Sequence, residues 1–469
     1  MRYAKKNLIW IVVFCFFLSA FKAPGEQEES DNRKPGEETA SEKAVKLFGP
    51  RSREILRLSL DECVERALTY NPELEVADYS IETAKEKKTE VSRLGYPILD
   101  YEYNLAPAPQ DVDRALPSFF SGDLTVFNRF KLGVGIPIHT FGKVKKGKEL
   151  AQKGIEAELE RKQQKKSDIV LRVRQLYFGI QLAREVNRLL RSARNGVQEE
   201  IDKRETQGGS DPSELLKLKL FRAELEKRIE EGDKKEILAK EALRVQLGID
   251  PTIRFDLSSD KLRPVARKIL NFAAYREEAL NQRSDLKLLE IGYEVKEKQY
   301  QLEKKLMTPN LGVGSFFEIG RAPGVTGVTT TDDFSDPFNF TRAGIGFQLK
   351  GQLDLHTSLS KVRQARSELH KVDVQRELAE DGVELEVKEA FLEVRNTRLD
   401  IERAEEAGRL SRQLLFLTQS NYDIGLAESK DLIDALSSFL QTRGQYFEAV
   451  FNYNVASAKL DQKTGRMPE

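Results

Sequence analysis

A self-similarity at a spacing of just over two hundred residues limits what this chain can fold into. Residues Glu65 to Leu74 (ERALTYNPEL) line up with Glu277 to Leu286 (EEALNQRSDL) at an offset of 212. Pro97 and Pro309 keep that offset, and the fragment 132–135 (LGVG) meets 343–346 (AGIG) at 211. Tyr177-Phe178 matches Phe391-Leu392 at 214, and Gly208, Leu215 and Gly248 match Gly425, Leu432 and Gly465 at 217. An offset that drifts only from 211 to 217 along the chain means two copies of one unit, so the fold must be buildable twice from one plan.

Each copy has the same internal order. A short helix over 59–70 is expected to stop at Asn71-Pro72, because proline disfavours helical geometry in the residue before it. A helix from Glu73 to about Gly95 follows, then a strand from Ile98 to Ala106 with Tyr101, Tyr103 and Leu105 at period two. A loop of about 21 residues with Pro107, Pro109 and Pro117 leads to a return strand, Asn128 to Ile138. A charged, proline-free helix is expected from Lys143 to about Thr206, a turn at Gly208-Gly209, and a helix running to Leu247. The second copy repeats this as helix 285–307, strand 310–319, loop 320–340, strand 341–349, helix 358–423, a turn at Gly425 and helix 429–463. The two shorter helices of a copy sum to about the length of its long one, which spans on the order of 90–100 Å. Two short helices stacked end to end can therefore run antiparallel along one long helix.

Each copy supplies one β-hairpin, so one chain supplies four strands. Four cannot close a barrel, since the smallest transmembrane barrels use about eight. An open sheet would leave two bare edges. Three chains in a symmetric assembly would pool twelve strands, and strands of about 9–11 residues suit a tilted transmembrane barrel. Ala343, Ile345, Phe347 and Leu349 offer one apolar face, with Gly344 and Gly346 on the other. A soluble hairpin packed on its own helices is the competing reading of the strands alone.

The first residues are of a different kind. Arg2, Lys5 and Lys6 precede an apolar run from Leu8 to Phe21, the layout of a secretory signal peptide cleaved after Ala20 or Ala23. An uncleaved anchor is the alternative, and Cys15 raises the question of lipidation, although it sits within the run behind Phe14. Residues 24–55, rich in Glu, Lys, Gly and Pro, are expected to be a flexible linker. The domain plan is then 1–23 signal peptide, 24–55 linker, 56–250 first repeat and 265–467 second repeat.

Composition narrows function. The chain has 76 Lys+Arg against 76 Asp+Glu, so no global basic field speaks for nucleic-acid binding. Cleavage after Ala23 would remove Arg2, Lys5, Lys6 and Lys22 and no acid, leaving a net charge of about −4. Two cysteines, of which only Cys63 survives cleavage, preclude a disulfide scaffold or a cysteine zinc site. His139, His356 and His370 are scattered, Gly133-Val-Gly135 lacks the context of a dinucleotide loop, and neither an enzyme, a cofactor nor a metal site is expected.

Three segments together resemble the outer-membrane efflux protein family, the TolC-like channels. They are Leu58 to Leu74 (LSLDECVERALTYNPEL), the strand GVGIP at 133–137, and Tyr422 to Ala435 (YDIGLAESKDLIDA), which fits the family's tyrosine–glycine–spacer–aspartate pattern at a helical tip. The resemblance covers about residues 56–467 in both halves. It implies a mainly α fold with a small β part: a duplicated unit of long antiparallel helices forming an α-barrel, with two β-hairpins giving four strands to a trimeric 12-stranded transmembrane β-barrel. It further implies a homotrimer in outer-membrane lipid, a helical body in the periplasm, a periplasmic adaptor and an inner-membrane pump as partners, and a gated entrance at the tips. On this resemblance Asp431 and Asp434 are the gate acids, three residues apart and hence on one helical face. Glu214, with Ser213 before it and Tyr422 as a partner from copy two, takes the corresponding place in copy one. Gly208, Gly209, Gly425 and Leu426 are the candidate adaptor contacts. The family's frequent arginine two residues after the glycine is Ala427 here, so that lock is missing. Asp431 and Asp434 also suit a plain role as acids at a helix N-terminus, and the glycines a plain role in turns.

The leading expectation is a passive exit duct for export of drugs or metal ions. The same duct serving a type I polypeptide secretion system is the alternative, and a periplasmic adaptor or spacer is a third reading, disfavoured by two full copies with strands between the helices.

Overall fold

The computed structural model describes residues 55–207, 212–326, 336–351 and 354–466. The expected signal peptide, Cys15 and nearly all of the linker lie outside the described residues. The elements run β1 (Leu56–Leu58), α1 (Leu60–Tyr70), α2 (Pro72–Arg93), β2 (Ile98–Pro109), α3 (Ala115–Ser121), β3 (Leu124–His139), α4 (Lys143–Gln207) and α5 (Pro212–Gln246). There follow β4 (Phe255–Leu257), α6 (Phe272–Gln282), α7 (Ser284–Leu306), β5 (Asn310–Arg321), β6 (Phe340–Lys350), α8 (Leu355–Asp423) and α9 (Ser429–Thr464). The chain is mainly helical with a small sheet. Among the described residues no helix is long and apolar enough to cross a membrane.

The 65 residues of α4 and 69 of α8 make rods of about 100 Å at 1.5 Å per residue. Each packs along its length against two shorter helices: α4 against α2 and α5, α8 against α7 and α9. The joint between the shorter helices is built by specific residues. Ser59 caps α1 through a capping box with Glu62, and the backbone at Asn71 turns extended (φ −70°, ψ 125°) before Pro72 opens α2. Asn71 is buried; its Oδ1 accepts from the Glu73 N–H at 2.8 Å while its Nδ2 donates to the Gln246 carbonyl at 2.9 Å, so the cap of α2 also holds the last turn of α5. Arg283 occupies the same place in copy two with nearly the same backbone (φ −62°, ψ 125°), although no proline follows it. It binds Asp285 through two nitrogens, at 2.9 and 2.5 Å, and Glu386 at 2.9 Å.

The paired glycines close these joints. Gly248 has φ +58°, and a Cβ there would lie 2.4 Å from the Tyr70 carbonyl oxygen; Gly465 has φ +75°, with a Cβ 2.9 Å from the Gln282 carbonyl carbon. Around each joint sits one copy of the same core. Cys63, Ala67, Ile169, Val173, Leu243 and Leu247 fill the first, and Tyr275, Ala279, Val383, Val387 and Leu460 fill the second. Burial pushes the Cys63 thiol up to about 12.

Two features differ from the sequence reading. The expected loop of about 21 residues is largely ordered structure: β2 continues to Pro109, α3 follows, and β3 begins at Leu124. The parallel pair β1–β4, Leu56–Leu58 against Phe255–Leu257, was not foreseen, because three-residue strands carry no readable period.

The four hairpin strands form one antiparallel sheet in the order β2-β3-β5-β6. Tyr101, Leu132, Phe317 and Ala343 share one cross-strand row, and Leu99, Val134, Ser315 and Ile345 another, so one face is predominantly apolar. The alternate rows carry Asp100, Gly133, Phe316 and Gly344, and Glu102, Lys131, Glu318 and Arg342. The outer sides of β2 and β6 have no strand beside them within the described chain.

Candidate functional site at the helical tip

The end of the helices opposite the sheet holds the residues singled out as a gate. Helix α8 ends in a Schellman turn: Leu426 N–H donates to the Asn421 carbonyl at 2.8 Å and Gly425 N–H to the Tyr422 carbonyl at 3.0 Å. Gly425 has φ +81° and nothing within 4 Å of a Cβ built on it, so the turn needs glycine for backbone conformation and not for space. The turn leaves Ile424 and Leu426 projecting, at 70% and 78% exposure. Gly208 and Gly209 lie outside the described residues.

Tyr422 and Glu214 come together through groups the sequence reading missed. Tyr422 is buried; its hydroxyl donates to Glu200 Oε1 at 3.1 Å and lies 3.3 Å from Ser429 Oγ. Ser429, fully buried at the start of α9, donates to Glu214 Oε2 at 3.1 Å. Arg204, on the last turn of α4, bonds Glu200 at 3.1 Å and Glu214 at 2.6 Å and stacks over the Tyr422 ring at 4.8 Å. Arg204 thus ties α4 to α5 and α8 at their tips, and Ser429 of α9 joins through Glu214, linking the helical hairpins of the two copies. Burial pushes the Tyr422 phenol up. Burial alone would lower Arg204, but its bonds to Glu200 and Glu214 outweigh it and hold the guanidinium firmly protonated.

Ala427 carries no charge, and Arg204 brings one to the same tip from the other repeat. Arg204 was hidden in the sequence because it sits in a helix dense with arginine and lysine, and only the packing of α8 beside α4 distinguishes it. Ser213, at the start of α5, is exposed. Ser429 brings a serine hydroxyl to Glu214.

Asp431 and Asp434 are both exposed, while Leu432 and Ala435 between and beside them are buried. The two carboxylates therefore share the outward side of α9. Asp431 also closes a capping box, accepting from the Glu428 N–H at 3.1 Å. It thus serves the helix N-terminus, as a plain acid there would.

The chain matches the family model described as outer membrane efflux protein over residues 63–207 and 275–466. No curated protein matches it. Among solved structures it is similar to the channel-forming CusC (TM-score 0.69, 15% identity, covering 90% of this chain and 96% of that one). It is likewise similar to the Campylobacter jejuni CmeC outer membrane channel (TM-score 0.68, 17% identity, 89% and 90%). The open state of the Neisseria gonorrhoeae MtrE outer membrane channel is a third (TM-score 0.67, 16% identity, 89% and 94%). At these identities the structures speak for the fold.

Proposed function

Because the chain belongs to the outer membrane efflux protein family, and so resides in the outer membrane with its helical body in the periplasm, we propose that it is the passive trimeric exit duct of a tripartite efflux system. The observation that carries this reading is the four-stranded sheet with an apolar face, a polar and glycine-rich face and two open edges, set at one end of helices of about 100 Å. Such a sheet is one third of a barrel wall, and three copies would supply twelve strands. The helices would continue the pore through the periplasm to the tip, where an adaptor would meet the exposed Ile424 and Leu426 and an inner-membrane pump would supply the energy. The cargo in this reading is small, drugs or metal ions.

At the tip, Asp431 and Asp434 would form two rings of three carboxylates and favour cations at the entrance. Arg204, Glu200, Glu214, Tyr422 and Ser429 would hold the hairpins of each copy in the narrow state. The reading is tested by membrane fractionation and by planar-bilayer recording. The protein should separate with outer membranes and run as a trimer that heat dissociates, and Asp431→Asn with Asp434→Asn should weaken cation preference or raise conductance. A soluble monomer with no need for detergent would overturn the duct. Unchanged selectivity and conductance would remove the two acids from the gate.

A further inference from the structure

The sheet's register says how neighbouring copies must join. Glu102, Lys131, Glu318 and Arg342 form one cross-strand row, alternating in sign across all four strands, with Arg129 paired to Glu318. Carried straight over the open edge, the row would set Arg342 against Glu102 of the partner subunit, the pairing that charge alone favours. Closure forbids it. A row that runs straight around and meets itself has no shear, whereas strands in a closed barrel tilt by about 35–45° and must be staggered. Within one copy the rows through all four strands run directly across, the one register shift lying at Pro137–His139 beyond the start of β2, so the stagger enters at the three equivalent seams. It must be even, because an odd slip turns every side chain to the wrong face.

With about 3.3 Å per residue and about 4.8 Å between strands, a seam offset of about four residues gives a tilt near 35° and about six gives about 45°. Sliding the other way sets β6 against the turn before Ile98, where there is no strand. Charge decides between the two. The offset of about six sets Lys350 against Asp100 of the partner subunit, whereas the offset of about four sets it against Ile98 of the partner subunit. Among the described residues neither Asp100 nor Lys350 has an ion-pair partner in its own chain. The same register puts Leu349, Phe347 and Ile345, 67–82% exposed on the lone chain, opposite Tyr101, Tyr103 and Leu105 of the partner subunit, which are 62–76% exposed.

We propose that β6 of each copy pairs antiparallel with β2 of the next in this register, Phe347 facing Tyr103 of the partner subunit and Lys350 facing Asp100 of the partner subunit. The proposal rests on the trimeric duct, and its test separates the two. In the full-length protein, Phe347→Cys with Tyr103→Cys should give covalent trimers on denaturing gels after oxidation, and neither single variant should. Crosslinking instead by Phe347→Cys with Tyr101→Cys would overturn the register in favour of the shorter offset. A native trimer that neither pair crosslinks would also overturn the register, leaving the duct standing. A monomer in detergent would overturn the duct itself. Independently, Lys350→Asp should lower the temperature at which the trimer dissociates and Asp100→Lys added to it should restore it; no restoration would remove the ion pair.

Discussion

Arg204 Nη1 donates to Glu214 Oε2 at 2.6 Å, joining the two helices of the first hairpin, and the same guanidinium lies over the ring of Tyr422 from the second. The contact is part-buried, so removing the cation leaves Glu200 and Glu214 close together with only the Tyr422 and Ser429 hydroxyls to offset their charges. An unpartnered buried charge is costly, commonly by about 3–5 kcal/mol in full burial and less here, where water still reaches the groups. Arg204→Gln should loosen the tip and raise single-channel conductance several-fold in planar bilayers. Arg204→Lys should fall between, because an ammonium cannot reproduce the fork of bonds. Conductance equal to that of the parent protein in both variants would exclude Arg204 as the lock.

The glycines at the joints and at the tip should respond differently to alanine. At Gly425 the added methyl meets nothing and the cost is that of a left-handed backbone, about 1 kcal/mol. At Gly248 the same backbone cost is joined by a Cβ 2.4 Å from the Tyr70 carbonyl, so α1 or α5 must shift. Gly248→Ala should therefore lower the melting temperature of the protein in detergent well beyond the effect of Gly425→Ala. Equal effects would mean that the joint yields easily.

Much of this architecture was legible because repetition and period are local properties of a sequence. The break at Asn71 announced itself through Pro72, and the strands through Tyr101, Tyr103 and Leu105. What stayed hidden depends on neighbours far apart in the chain. Arg283 breaks the second copy's helix without proline, by pairing with Asp285 and Glu386. Ser429 and Arg204 acquire their roles only when α8 and α9 pack beside α4. The proline-marked loop after β2 was misread as irregular, since Pro107 and Pro109 lie at the end of a sheet-edge strand, where a missing N–H breaks no ladder within the chain.

Cys63 offers a probe of the first joint. It is fully buried, and burial holds its thiol near 12 against an ordinary 9.0, so almost no thiolate exists at neutral pH. Iodoacetamide should leave it unmodified in the folded protein at pH 8 and modify it readily in denaturant. For an acid raised on folding, stability is present below the unfolded value and fades as pH rises through the folded one, so alkali above about pH 9 should begin to loosen this core. Rapid labelling of the native protein would show that the joint opens on its own.

The second joint should answer to acid. Burial alone would raise the Asp285 carboxyl, but the hydrogen bond and charge of Arg283 outweigh it and hold it below its ordinary 3.8. Glu386 is likewise lowered, burial being outweighed by Lys463 and Arg283. A carboxylate lowered on folding contributes stability above its unfolded value and loses it as pH falls through the folded one. Acidification from about pH 5 downward should therefore weaken the α7–α9 joint, read as a falling melting temperature by circular dichroism in detergent. Arg283→Gln removes the cation while leaving the carboxylates partly buried, so the main influence that lowers Asp285 is lost. In that variant the fall in melting temperature with acid should be shallower than in the parent protein, because only the lowering of Glu386 by Lys463 remains in full. A variant whose melting temperature falls with acid along the parent's curve would show that Arg283 does not govern the titration of this joint.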